Sequence, residues 1–173
     1  MLKYSELLIS NLIDKENKTP IGEIVNVAFS EEFKRIVGLI VKNDKLYKNK
    51  ILLPIENIVD IDKDSIIIVN ENELKKEKPY EEKEINLVDW EVITEKLECI
   101  GYVKDMVIKK EDGKIIGFII SEGIIEDIVK GRKFLSSSKI IEINEKSIVI
   151  EKEDIKDIGK NGQCYKKIIE LED

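Results

Sequence analysis

One phrase, written twice, constrains this chain more than any other feature. "RIVGLIVKN" (Arg35–Asn43) and "KIIGFIISEG" (Lys114–Gly123) each set a glycine in the middle of a dense aliphatic run. Gly38 and Gly117 are 79 positions apart, and so are Gly22 and Gly101. Downstream, "NIVDIDKDSIIIVNE" (Asn57–Glu71) returns as "KIIEINEKSIVIEKE" (Lys139–Glu153) at an offset of 82, and Leu53 falls on Leu135 at that same offset. The offset grows by three, so the second copy carries a three-residue insertion between Gly117 and Leu135. Ordered offsets of this kind mark a tandem duplication of a unit of about 80 residues.

Each copy breaks into short apolar runs. The first gives Leu8–Ile13, Ile24–Phe29, Ile36–Lys42, Ile51–Pro54, Ile58–Ile61 and Ser65–Val69. The second gives Leu87–Ile93, Tyr102–Ile108, Ile115–Ser121, Phe134–Leu135, Ile140–Ile143 and Ser147–Glu151. Isoleucine fills 33 of the 173 positions, and β-branched side chains suit a pleated, half-buried surface. Between two runs, "EDGK" (Glu111–Lys114) carries the Asp-Gly signature of a tight hairpin, and "SEEFKR" (Ser30–Arg35) occupies the matching turn. The expected fold class is therefore all-β: two tandem small closed barrels with short helical turns. In a barrel a strand must coil sharply, and the mid-strand glycines are expected at those corners.

The copies are separated by "NENELKKEKPYEEKE" (Asn70–Glu84), densely charged and carrying Pro79. The expected division is a first repeat over 1–78, a charged linker over 79–84 and a second repeat over 85–173. Residues 1–78 hold 13 basic and 14 acidic residues, whereas 79–173 hold 16 and 22, so most of the net charge of −7 sits in the second half.

The patterns "IGEIVNV" (Ile21–Val27), "IVGLIV" (Ile36–Val41) and "LPIENIVDIDKDSIIIV" (Leu53–Val69) resemble the PRC-barrel family, the β-barrel shared by the photosynthetic reaction-centre H subunit and the ribosome maturation factor. The second copy matches with "IGYVKDMVI" (Ile100–Ile108), "IIGFII" and "FLSSSKIIEINEKSIVI" (Phe134–Ile150), departing where Ser136 replaces Pro54. Tandem forms of the family occur in bacteria, and single copies are associated with sporulation in some spore formers. The resemblance implies a module that contacts other proteins, and it transfers no active-site residues. By the same analogy, a ribosome- or RNA-associated assembly factor is the alternative expectation.

The residues themselves argue against chemistry. With no histidine, the commonest general base, the Ser-His and Cys-His pairs and most zinc sites are gone. Cys99 and Cys164 form no CxxC pair; Cys99 takes the place of Pro20 and reads as a buried or half-buried structural thiol. Cys164, beside Lys166 and Lys167, would need lysine alone to activate it. "DIDKD" (Asp60–Asp64) alternates carboxylates but lacks the central glycine and distal glutamate of a calcium loop. "GKNG" (Gly159–Gly162) reads as a turn, and "KGRKF" (Lys130–Phe134) is the one cluster suited to a phosphate contact. No catalytic, cofactor or metal site is expected. Arginine occurs at 35 and 132 alone and no basic stripe exists, so direct nucleic-acid binding is unexpected. The longest apolar runs are far too short to span a membrane as a helix, and Glu6 and Asn11 interrupt the early one, so a cytoplasmic location is expected.

The insertion falls in or beside "SEGIIEDIVKGRKF" (Ser121–Phe134), where the first copy has the polar "NDKLYKNK" (Asn43–Lys50). Ile124, Ile125, Ile128 and Val129 recur at i, i+1, i+4 and i+5, one face of a helical turn bracketed by Gly123 and Gly131. One expectation buries this face, as a plug in the mouth of its own barrel or against the first copy. The other presents it to a partner: another protein, or a second copy in a homodimer. On the second reading these four residues are the partner-binding site of a non-enzymatic adaptor.

Overall fold

A computed structural model of the chain describes residues 1–42, 50–61, 65–68, 85–151 and 155–159. The chain divides into two units, one of Met1–Asn86 with Lys109–Lys114 and one of Leu87–Ile108 with Ile115–Asp173. The charged stretch 70–84 lies outside the described residues.

The first unit opens with β1 (Leu2–Lys3) and α1 (Tyr4–Leu8), followed by β2 (Asn11–Asp14), β3 (Pro20–Phe29), β4 (Ile36–Lys42) and β5 (Lys50–Pro54). A single 3₁₀ turn, Ile55–Asn57, leads to β6 (Ile58–Ile61) and β7 (Ser65–Ile68). The run Leu8–Ile13, expected as one strand, is thus the end of a helix and the start of β2. Tyr4 and Leu7 sit one helical turn apart and are both buried, and the Glu6 carboxylate accepts the Lys3 N–H at 2.9 Å, so the helix is capped and anchored where the strand pattern had suggested extension.

These strands form a sheet in the order β5-β4-β3-β2-β7-β6, antiparallel throughout except for the parallel β2–β7 pair. Its core is Leu12, Ile36, Leu39, Ile40, Ile51 and Leu53, each fully buried.

The second unit repeats this plan with β8 (Glu91–Thr94), β9 (Cys99–Ile108), β10 (Ile115–Ser121), α2 (Ile124–Val129), β11 (Arg132–Ser136), a 3₁₀ turn at Ser137–Lys139, β12 (Ile140–Ile143) and β13 (Ser147–Ile150). It adds β14 (Ile155–Gly159) along the outer edge of β11, giving the order β12-β13-β8-β9-β10-β11-β14. Phe118 and Phe134 are its largest fully buried side chains, and Val107 and Ile119 pack with Phe134.

The duplication holds down to register. Gly38 pairs with Pro54 and Gly117 with Ser136; the parallel pairs align Asn11 with Ser65 and Glu91 with Ser147. Replacing proline by serine therefore leaves the strand exit unchanged, and Ser137 Oγ donates to Ile115 O at 2.7 Å to hold the following turn. The "EDGK" hairpin forms as read: the Lys109 N–H donates to Lys114 O at 2.8 Å, and Gly113 adopts a φ of 71°.

Two expectations need correction. The sheets are not closed. In each unit the chain passes from β5 to β6, or from β11 to β12, through a three-residue 3₁₀ turn instead of a ladder. Strands on opposite flanks of the sheet path are thus joined by three residues, which rolls the sheet but leaves that seam without strand pairing among the described residues. The mid-strand glycines do sit beside a register shift in both copies, at Ile115–Gly117 and opposite Ala28–Phe29, but a second demand acts there that the expectation did not hold. Neither Gly38 nor Gly117 has a left-handed backbone; each lies where the adjacent strand's main chain comes too close for a Cβ.

The matching turns after β2 and β8 both place a non-glycine residue in the left-handed region, Lys18 at φ 56° and Leu97 at φ 62°. Leu97 is 79% exposed, so it gains little packing for that strain. Leu97→Asn is expected to stabilise the protein by about 0.5–1 kcal/mol, since asparagine tolerates this conformation better. Urea unfolding followed by fluorescence of Trp90, the sole tryptophan, is the check; an unchanged or lower midpoint would contradict it.

Candidate interaction surface

Strand β10 ends at Ser121, which is buried, and its Oγ accepts the Gly123 N–H at 3.1 Å. Gly123 then turns the chain with φ 146°, where an added Cβ would lie 2.7 Å from Glu126 Oε2. One helical turn follows: Asp127 N–H donates to Gly123 O at 2.9 Å and Lys130 N–H to Glu126 O at 2.8 Å. Gly131, at φ 87°, closes it and its N–H reaches Asp127 O at 3.1 Å. The glycines read from sequence as a start and a stop are the start and the stop.

Two ion pairs fasten this turn to the next strand. Arg132 Nε donates to Asp127 Oδ2 at 3.0 Å, and Lys133 Nζ lies 2.9 Å from Glu122 Oε1. The Asp127 side chain is 18% exposed and the Glu122 and Lys133 side chains are also largely covered. Asp127 of α2 and Glu122 just before it therefore face β11, and the aliphatic side faces out. Ile124 is 82% exposed, Ile125 73%, Ile128 68% and Val129 60%. The plug expectation is overturned: none of the four is core. Their combined apolar surface is on the order of a few hundred Å², the scale at which an exposed patch on a monomer usually has a use. The sequence had flagged the four aliphatics. It had missed Glu122, Asp127, Arg132 and Lys133 as the tether, although the i, i+5 spacing of Asp127 and Arg132 was there to be read. It also means the "KGRKF" cluster commits its Arg132 and Lys133 to carboxylates and not to a phosphate.

The other candidates come to less. Asp60 Oδ1 accepts its neighbour's Ile61 N–H at 2.9 Å, a turn contact, while Asp62 and Asp64 lie outside the described residues, as does Cys164. Of "GKNG", Gly159 alone is described, as the last residue of β14. In the first unit a groove of about 340 Å³ is lined by Ile55, Val59, Asp60 and Lys110, whose Nζ donates to Ile61 O at 2.7 Å. Among the described residues no three carboxylates or thiols gather as metal ligands, and no helix is long and apolar enough to cross a membrane.

Cys99 departs from its expected burial: it is exposed, with Sγ 3.9 Å from Gly101 O. Negative charge on Cys99, then on Glu91, holds the exposed Tyr102 phenol above its ordinary range. Lys34 holds the exposed Glu32 carboxyl below its usual range. Both are surface pairings of ordinary kind.

A family model described as PRC-barrel domain matches residues 1–75 and, a second time, residues 85–155. No curated protein matches the chain.

Proposed function

Because the chain belongs to the PRC-barrel family in both of its halves, we propose that it is a non-enzymatic protein-interaction module whose contact surface is the aliphatic face of α2. The observation that carries this reading is the inversion of α2. Asp127 within it and Glu122 just before it are tied to Arg132 and Lys133, so the fold spends ion pairs to hold four large aliphatics in water. Exposed apolar surface of that kind costs solubility and is retained where a second surface covers it. The absence of histidine supports the same reading, since it removes the commonest acid–base and nucleophile pairs. The polar "NDKLYKNK" at the matching place in the first copy supports it too: the duplicated units diverged in sequence where the second acquired this face.

The double substitution Ile124→Lys/Ile128→Lys tests it. Both side chains are exposed, so the urea midpoint is expected to move by no more than about 0.5 kcal/mol. Proteins recovered from nuclease-treated extract on the immobilised chain should then be lost. If the two residues were core, each would contribute roughly 1.5–3 kcal/mol and the unit would unfold. A stable double variant that keeps every captured protein would refute the interface.

A further inference from the structure

We propose that α2 docks on α2 of a second copy of the chain, the two helices antiparallel across a two-fold axis, each covering the aliphatic face of the other. The proposal rests on the reading of α2 as an interface and names its occupant. Three observations point to a second copy.

The first is pattern. The four aliphatics are mirrored about the middle of the helix, between Glu126 and Asp127: Ile124 has its counterpart in Val129, and Ile125 in Ile128. An antiparallel copy therefore sets Ile124 over the partner's Val129 and Ile125 over the partner's Ile128. Every aliphatic meets an aliphatic, which is what a contact between identical surfaces requires.

The second is charge. Residues 79–173 hold 22 acids against 16 bases, an excess that keeps copies apart. The stretch 122–133 escapes it, because Glu122, Glu126 and Asp127 are balanced by Lys130, Arg132 and Lys133. The acids come first and the bases last. Antiparallel docking lays the acidic end of one segment beside the basic end of the other, whereas parallel docking sets acid on acid. Arg132 bonds Asp127 through Nε and stays 50% exposed, so its remaining donors can serve the partner's acids. Glu126 Oε2 folds back over Gly123, 2.7 Å from where a Cβ would stand, and the antiparallel register brings the partner's Lys130 to that level.

The third is area. A standard interface takes about 800 Å² from each partner, and the apolar share of that is roughly 450 Å². Four aliphatics that are 60–82% exposed present apolar surface on that scale, with Glu126, Lys130 and Arg132 as a polar rim. The first copy has the polar "NDKLYKNK" at the matching place, so each chain brings one such face and assembly closes at two.

The experiment uses the full chain. Sedimentation equilibrium is expected to show a dimer, which Ile124→Lys/Ile128→Lys weakens at least about a hundredfold. Lys130→Glu alone should weaken it about tenfold, and adding Glu126→Lys should restore it. The register is read by disulfides in a Cys99→Ser/Cys164→Ser background, which removes both native thiols. Under mild copper-phenanthroline oxidation, mixed Ile125→Cys and Ile128→Cys chains are expected to form the 125–128 interchain disulfide about tenfold faster than Ile125→Cys chains alone form 125–125. Equal rates overturn the antiparallel docking. A chain that stays monomeric at about 1 mM, where any dimer of micromolar Kd is populated, overturns the proposal, and so does a dimer that Ile124→Lys/Ile128→Lys leaves intact. The two readings fail separately. A monomeric chain whose captured proteins are lost in the double variant leaves an interface with another protein as its occupant. A double variant that keeps both the dimer and every captured protein removes the interface itself.

Discussion

Gly117→Ala is expected to destabilise the second unit by about 3 kcal/mol, and Gly117→Val to leave it unfolded at room temperature. A Cβ at this position would stand 2.4 Å from the Leu135 carbonyl oxygen and 2.4 Å from the Phe134 ring. The first is main chain of β11, which pairs with β10 through Gly117–Ser136 and Phe118–Leu135 and cannot retreat without breaking that ladder. The second is a fully buried ring at the centre of the core, with Val107 and Ile119 against it. No rotamer change relieves either clash, so the strand pair must separate, and interiors at crystal-like density do not absorb that. Gly38 meets a softer obstacle. Its Cβ would lie 2.7 Å from Leu53 O and 2.7 Å from Leu52 Cδ1, and the leucine methyl can swing away. Gly38→Ala is therefore expected to cost less than Gly117→Ala. Trp90 lies in the second unit, so its fluorescence in urea reads the Gly117 effect directly. A Gly117→Ala midpoint within about 0.5 kcal/mol of the parent would sink the close-approach account.

The repeat, the strand spans and the hairpins were legible because period and offset are properties of the chain alone. Gly38 over Gly117 and Leu53 over Leu135 fix the alignment, and that alignment reappears in the pairing of Gly38 with Pro54 and Gly117 with Ser136. What the glycines are for was not legible, because the atoms they make room for belong to a strand 15 or so residues further on. A glycine for bending and a glycine for close approach look the same in a sequence. Closure was misread for a similar reason. The run of strands suits a barrel, but whether the seam is a ladder or a 3₁₀ turn depends on the three residues at Ile55–Asn57 and Ser137–Lys139, which carry no pattern of their own.

α2 shows the limit at the site. Periodicity divides a helix into two faces and leaves undecided which one points inward, and the usual default is apolar-in. Here Glu122 and Asp127 find Lys133 and Arg132 on β11, and the default reverses. The tether was missed because its strength comes from tertiary placement: an exposed ion pair is worth little, whereas these carboxylates are largely covered.

Asn26→Leu is expected to destabilise the first unit by about 3 kcal/mol, through a device the duplication kept in both copies. β3 bulges between Ile24 and Asn26, and β9 shifts register at the equivalent place, between Val103 and Asp105. At a bulge one residue drops out of the ladder and its neighbours' main-chain groups need other partners. In both copies a buried side chain supplies one: Asn26 Oδ1 accepts the Val27 N–H at 2.8 Å, and Asp105 Oδ1 accepts the Met106 N–H at 2.9 Å. Asn26 does more. Its Oδ1 also accepts the buried Tyr4 hydroxyl at 3.0 Å, tying α1 to β3, and its Nδ2 donates to Ile85 O at 3.4 Å. Leucine is close in size, so the loss falls on hydrogen bonding and not on volume. It removes the shared acceptor of a buried N–H and a buried O–H, and a buried donor that loses its acceptor costs about 1–3 kcal/mol. A double-mutant cycle with Tyr4→Phe isolates the helix–strand part. If the Tyr4–Asn26 bond couples α1 to the bulge, Tyr4→Phe should cost about 1 kcal/mol in the parent and close to nothing once Asn26 is leucine. Additive costs would mean that α1 is held by the packing of Tyr4 and Leu7 alone, and that the bulge needs Asn26 only for its own backbone.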